Sequence, residues 1–140
     1  MRKRKFLFES GICKIFDGIK SVSTPGRWNI TGYEREWKGY PRTLDFLSKS
    51  SEHYKIKRLE RDLYLGVILP YLKKFKKSLV LDAAGGIGRF ALEIAKMGHK
   101  VCMVDASITN LRNAWKHLKK NRLLKSVSLY WGDVSDLSAF

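Results

Sequence analysis

A chain of 140 residues is bounded to a single domain. Its 44% hydrophobic and 12% aromatic content excludes a disordered polymer, and no apolar run reaches the roughly 18 residues that a membrane-spanning helix requires. Lys and Arg number 28 against 13 Asp and Glu, a net charge of +15 that draws polyanions such as RNA to the surface without choosing among them. The cations are spread along the chain, so a basic surface that is merely solvated accounts for them equally well. Cys13 and Cys102 have neither disulfide-framework nor metal spacing, and no His/Cys/acid set accompanies them, so no metal site is expected. A reduced, cytoplasmic setting fits that usage. The basic start, Arg2 to Lys5, imitates an export signal, but its apolar run stops at Glu9.

Residues 1–50 read as an accessory segment and 51–140 as the main domain. In residues 1–23 the apolar residues alternate only in part, from Phe6 and Phe8 onward, and Gly11 and Asp17-Gly18 are turn signals, which suits a short hairpin. Ile12, Ile15, Phe16 and Ile19 fit one helix face as well, and the pattern does not separate the two. Residues 27–42 interleave Trp28, Tyr33, Trp37 and Tyr40 with Arg35, Lys38 and Arg42. Such a mixture stacks on bases and pairs with phosphates, forms a lid, or simply packs, and simple packing is the preferred reading.

Ser50-Ser51-Glu52 opens a helix that runs to Tyr71 or beyond. Leu59, Leu63, Val67 and Tyr71 recur at i+4, with Ile56 and Ile68 beside them, and this stripe should pack on a sheet. Pro70 should kink the helix or start a second one. Residues 79–82 then form a short apolar strand ending at Asp82, followed by Gly85-Gly86-Ile87-Gly88 and a helix opening at Phe90. Strand, glycine loop and helix in that order begin a βαβ unit. Gly86 and Gly88 are free to take positive φ, and the helix N-terminus directs its unpaired N–H groups at the same spot. Gly98 closes that helix, and a second strand ends at Asp105. An acid there, about 20 residues past the glycines, is placed to hold ribose hydroxyls.

Ser107 caps the next helix, whose stripe is Ile108, Leu111, Trp115 and Leu118. His117, among lysines, reads as a solvated surface residue. A third strand over 126–131 runs into Gly132-Asp133. Three successive strands thus carry acids at their carboxyl ends, where open α/β sheets bind ligands. Gly86-Ile87-Gly88-Arg89-Phe90-Ala91 also satisfies G-x-G-x-x-A, the dinucleotide fingerprint of NAD and FAD domains. Asp82 counts against that alternative, because a fixed negative charge before the loop repels a pyrophosphate and favours a ligand carrying positive charge.

Taken together, Asp82-Ala83-Ala84-Gly85-Gly86-Ile87-Gly88, Asp105 and Asp133 resemble the three leading motifs of class I S-adenosylmethionine-dependent methyltransferases, over residues 79–137. Ala84 stands where the family's pattern has its first glycine, leaving less room at the loop. The resemblance implies a Rossmann-like, doubly wound parallel α/β sheet preceded by a mostly helical N-terminal extension. It implies S-adenosylmethionine as cofactor, with Asp82, Ala84, Gly86 and Gly88 at the methionine end, Asp105 at the ribose, and Asp133 and Val134 at the adenine. No catalytic residue is assigned, the methyl acceptor is not identified, and a basic RNA-binding module on a non-catalytic core is the remaining alternative. Such sheets carry about four more strands than the three read here, so the sheet is expected to be incomplete, through truncation at the C-terminus. A partner chain or dimer, or the N-terminal segment, would otherwise cover the open edge of the first strand.

Overall fold

A computed structural model describes residues 15–16, 18–21, 52–135, 137 and 140. In chain order these form β1 (Ile15–Phe16), β2 (Ile19–Ser21), α1 (Glu52–Leu72), β3 (Leu79–Ala83), α2 (Arg89–Lys96), β4 (Lys100–Asp105), α3 (Ile108–Lys120) and β5 (Val127–Trp131). One sheet contains all five strands in the order β1-β2-β5-β4-β3. All neighbours are parallel except β1 and β2. Successive steps from β3 to β4 to β5 each cross through a helix, the βαβ arrangement expected, and the incomplete Rossmann-like α/β class holds.

The period of two along each strand sorts side chains between two faces. Val80, Val101, Met103, Val127 and Leu129 share one face and pack in a single core with Leu72 of α1, Ala91 and Ile94 of α2, and Leu111, Ala114 and Leu118 of α3. Full burial of a Leu or Met there is worth roughly 1.5–3 kcal/mol each. The opposite face carries a smaller cluster of Val104 and Tyr130, joined by Cys102 and Phe140.

Residues 15–21 settle the choice between hairpin and helix in favour of a hairpin. Its turn needs Gly18, which sits at φ 83° with the Trp115 indole nitrogen only 3.1 Å from where a Cβ would lie. The described part of the N-terminal segment is therefore extended, not helical. Residues 22–51, including the aromatic-basic stretch and the Ser50-Ser51 cap, lie outside the described residues. The hairpin adds β2 beside β5 in register Ile19↔Leu129, at the far side of the sheet from β3. Among the described residues β3 pairs with β4 alone.

Two expectations for α1 need correction. Pro70 does not start a second helix: α1 runs unbroken from Glu52 to Leu72 with Pro70 inside its last turn. The stripe expected to face the sheet faces solvent instead: Ile56, Leu59, Leu63, Val67 and Tyr71 are between 59% and 74% exposed. Of the expected stripe Ile68 alone packs against the core, where it joins a second apolar side of the helix, Leu65, Leu69 and Leu72. Periodicity finds apolar sides but cannot rank two of them on one helix.

Candidate functional site

The loop from β3 to α2 is built by four backbone choices. Ala84, Gly86 and Gly88 have φ of 58°, 59° and 80°, the left-handed region, while Gly85 does not. Gly88 caps α2 without a side chain of its own, and a Cβ there would lie 3.2 Å from Ala114 Cβ, so the loop is pressed against α3. The missing cap is supplied from β3: the Ala91 N–H donates to Asp82 Oδ2 at 3.2 Å. Asp82 thus satisfies an orphan donor in the first turn of α2, a placement its negative charge also favours.

Asp105 sits on the other side of the loop and is buried. Its Oδ2 accepts from Gly86 N–H at 2.8 Å, and its Oδ1 accepts from Ser107 N–H at 2.8 Å and from Asn110 Nδ2 at 3.4 Å. Ser107 Oγ in turn accepts from Asn110 N–H, the cap expected from sequence. One carboxylate therefore ties the glycine loop to the start of α3. Burial pushes Asp82 up to about 6 from an ordinary 3.8, against the Ala91 hydrogen bond and with repulsion from Asp105 adding to the rise. The structure brings Asp82 and Asp105 into electrostatic contact across Gly85 and Gly86.

Asp133 follows β5, whose Trp131 lies in register with Asp105, and Gly132 N–H donates to the Asp105 carbonyl. Its carboxylate accepts from Ser135 N–H at 2.8 Å, closing a turn, and Val134 is exposed beside it. It stands at the same end of the sheet as the other two acids, but no contact joins its side chain to theirs among the described bonds. Hollows along α1 lie elsewhere; one of about 100 Å³ is lined by Tyr54, Lys57, Arg61, Gly88, Arg89 and His117, and none of the three acids lines it.

Three features of the loop escaped the sequence. Gly85 looked incidental, yet a Cβ there would lie 2.6 Å from the buried Met103 side chain and 3.0 Å from Asp82 Oδ2. Gly85→Ala should cost about 1–3 kcal/mol through overpacking, read as a lowered denaturant midpoint with unchanged slope. A close approach of this kind leaves no trace in spacing. Ala84 is exposed, and its burden within the folded chain is conformational: an alanine held at φ 58°. Ala84→Gly should leave stability unchanged or raise it by up to about 1 kcal/mol, since relief of left-handed strain is partly offset by the added freedom of the unfolded chain. Thermal unfolding of the pair measures this.

His117 is half-buried rather than solvated. Burial lowers its imidazole from the ordinary value, with the nearby Ile87 backbone opposing the shift. His99 is fully buried, and its Nδ1 accepts from Ser78 N–H at 3.1 Å, pinning the start of β3.

Parallel strands joined through helices, with a left-handed glycine loop after β3, define a Rossmann-like α/β unit. In fold the chain resembles the class I S-adenosylmethionine-dependent methyltransferases, as its motifs imply. No protein-family model matches the sequence, and no curated protein matches it. Among solved structures, the PH0226 protein from Pyrococcus horikoshii OT3 is 29% identical, with a TM-score of 0.53; the match covers 74% of this chain and 42% of that one. Magnesium protoporphyrin IX methyltransferase from Synechocystis PCC 6803, solved with bound S-adenosylmethionine, is 16% identical, with a TM-score of 0.64. That match covers 82% of this chain and 59% of the other. The chain thus spans less than two thirds of the length of either protein.

Proposed function

We propose that the chain carries the cofactor-binding part of an S-adenosylmethionine-dependent methyltransferase. The observation that carries this reading is the pair Asp82 and Asp105, set on either side of the left-handed loop at the carboxyl ends of adjacent parallel strands. The residues present fit such a nucleoside. A Cβ at Gly86 would meet nothing within 4 Å, which leaves the loop's outer surface open to close approach. Asn110 Oδ1, buried beside Asp105, has no hydrogen-bond partner among the described residues and is available to a ligand donor. Asp82 with Ala84, Gly86 and Gly88 would hold the methionine end, Asp105 the ribose, and Asp133 with Val134 the adenine. Bound there, the cofactor supplies an electrophilic sulfonium methyl group, while the protein positions it and excludes water.

A polyanionic acceptor or partner such as RNA is supported by the net charge of +15 and by the exposed Arg112, Lys116, Lys119 and Lys120 on α3. RNA affinity that falls steeply with added salt is the expected sign of that partner. Titration calorimetry with S-adenosylhomocysteine and, separately, NAD tests the cofactor. S-adenosylhomocysteine should bind and NAD should not; the opposite result assigns the loop to a dinucleotide.

A further inference from the structure

We infer that the end of the sheet at which β3, β4 and β5 start, opposite the glycine loop and its acids, is a docking surface for single-stranded RNA. The segments that lead into these strands meet there. Lys100 N–H donates to the Ser78 carbonyl and Val101 N–H to the Ser126 carbonyl, both at 2.9 Å, and Lys100 Nζ donates to the Lys125 carbonyl at 2.6 Å. Residues 73–78, 96–100 and 119–126 therefore lie side by side. Lys73, Lys74, Lys76 and Lys77 stand on the first segment, and Lys96 and Lys100 on the second. Lys119, Lys120, Arg122 and Lys125 stand on the third, and every one of these cations is exposed. The three segments contain no Asp or Glu. Among the described residues, Lys96 alone of this group has a carboxylate partner, Glu93 at 2.9 Å. On α1 the pattern differs: Lys57, Arg58 and Arg61 each pair with Glu60 or Asp62 on the same helix.

Helix ends attract cations, which accounts for Lys96, Lys119 and Lys120 in the last turns of α2 and α3. It does not account for Lys76, Lys77, Lys100, Arg122 and Lys125, which lie outside every helix. Crowded like charges repel one another and weaken the compact state unless an external polyanion neutralises them. Phe75, 46% exposed among the lysines, offers a ring on which a base can stack. Stacking combined with phosphate pairing is how single strands are held without choice of sequence. The basic track also turns a corner. Arg112 and Lys116 carry it up the flank of α3, about 12 Å from Arg112 to Lys120, while the strand starts run sideways at about 4.8 Å each. A flexible polymer follows such a corner, whereas a flat anionic bilayer meets the edge or the flank but not both. Asp82, Asp105 and Asp133 stand at the other end of the strands, about 20 Å away along β4. Their charge repels phosphate, so the RNA segment held here is an anchor and not the nucleotide presented to the glycine loop. Binding at this edge stands apart from the cofactor reading; its role as an anchor rests on that reading.

The test uses the 140-residue chain, a short fluorescent single-stranded RNA of mixed sequence, and vesicles of phosphatidylcholine with phosphatidylserine. Anisotropy titrations at several salt concentrations give the RNA affinity. Lys76→Gln with Lys77→Gln should weaken RNA binding about tenfold and flatten the slope of log affinity against log salt by about 1.4, and Lys120→Gln with Lys125→Gln should do the same. Lys55→Gln with Arg58→Gln removes the same charge from α1 and should change affinity by less than about twofold. Circular dichroism melts check that each variant is folded. In the wild-type protein, acetylation read by mass spectrometry should show Lys76, Lys77, Lys120 and Lys125 shielded by RNA and Lys55 unchanged. Equal weakening by the α1 pair, edge lysines that RNA leaves unshielded, or no RNA binding at physiological salt each overturns the inference. Tighter binding to the anionic vesicles than to RNA, with the same lysines shielded, assigns the edge to a membrane and also overturns it. So does displacement of the RNA by S-adenosylhomocysteine, which would place the RNA at the glycine loop. Cofactor affinity is measured separately, so a failed edge and a failed cofactor site give different results.

Discussion

Asp82→Asn should make the unliganded protein more stable at neutral pH while weakening its grip on a cationic ligand. The folded Asp82 carboxyl, pushed up to about 6, holds its proton more tightly than the unfolded chain, where 3.8 is ordinary. Between those two values the native state binds the extra proton, so stability falls as pH rises through the window and the loss is complete above about pH 6. A shift of about two pH units corresponds to about 3 kcal/mol, an upper figure for a group with some solvent contact. Asparagine carries no charge to desolvate, and its Oδ1 can still accept from Ala91 N–H. The difference between variant and wild type in urea midpoint should therefore grow from pH 4 to pH 6.5 in the variant's favour. The same charge is the reason to expect a function. A ligand ammonium or sulfonium group would pull the proton off Asp82, so wild-type affinity for S-adenosylmethionine should tighten as pH rises through about 6. The variant should lose that pH dependence along with about tenfold or more in affinity. A variant that is less stable at pH 7 would show that the helix terminus, not burial, governs this carboxylate.

Asp105→Ala should be the most damaging single change among the candidate cofactor-binding residues. It strands two backbone donors, Gly86 N–H and Ser107 N–H, together with the Asn110 amide, in a buried place. Each unsatisfied buried donor costs about 1–3 kcal/mol, so a loss of roughly 3 kcal/mol is expected after the loop relaxes. Asp105→Asn is not a mild alternative: its NH₂ must face either Gly86 N–H or Ser107 N–H, donor against donor. S-adenosylhomocysteine affinity should fall about 100-fold in the alanine variant, measured by calorimetry at a temperature where circular dichroism shows it folded. Unchanged affinity in a folded Asp105→Ala protein would remove the ribose from this residue.

Much of the fold could be read along the chain because the signals are local. Strand, glycine loop and helix appear in order around Asp82 and Gly88. Ser107 announces its helix as a cap, and Gly98 ends one at φ 90°. The stripe of α3 faces the core as its spacing predicts, with Leu111 and Leu118 fully enclosed and Ile108 and Trp115 partly buried. Each of these depends on backbone geometry within a few residues, which sequence records directly. Less could be read wherever the outcome depended on what lies across space. Gly85 is needed because Met103 crosses beneath it, and His117 is half-buried with the Ile87 backbone near it; both neighbours come from other elements.

Sequence by itself therefore determined the βαβ order, the loop's left-handed glycines and the three strand-end acids, all of which follow from residue type and spacing. Only the tertiary structure decided which side of α1 is buried, that the hairpin attaches beside β5 and not β3, and that Asp82 caps α2 while Asp105 clamps the loop. The physical reason is that burial and capping belong to pairs of elements. A chain with two apolar sides on one helix and two edges on one sheet carries nothing in its spacing that says which of each will be covered.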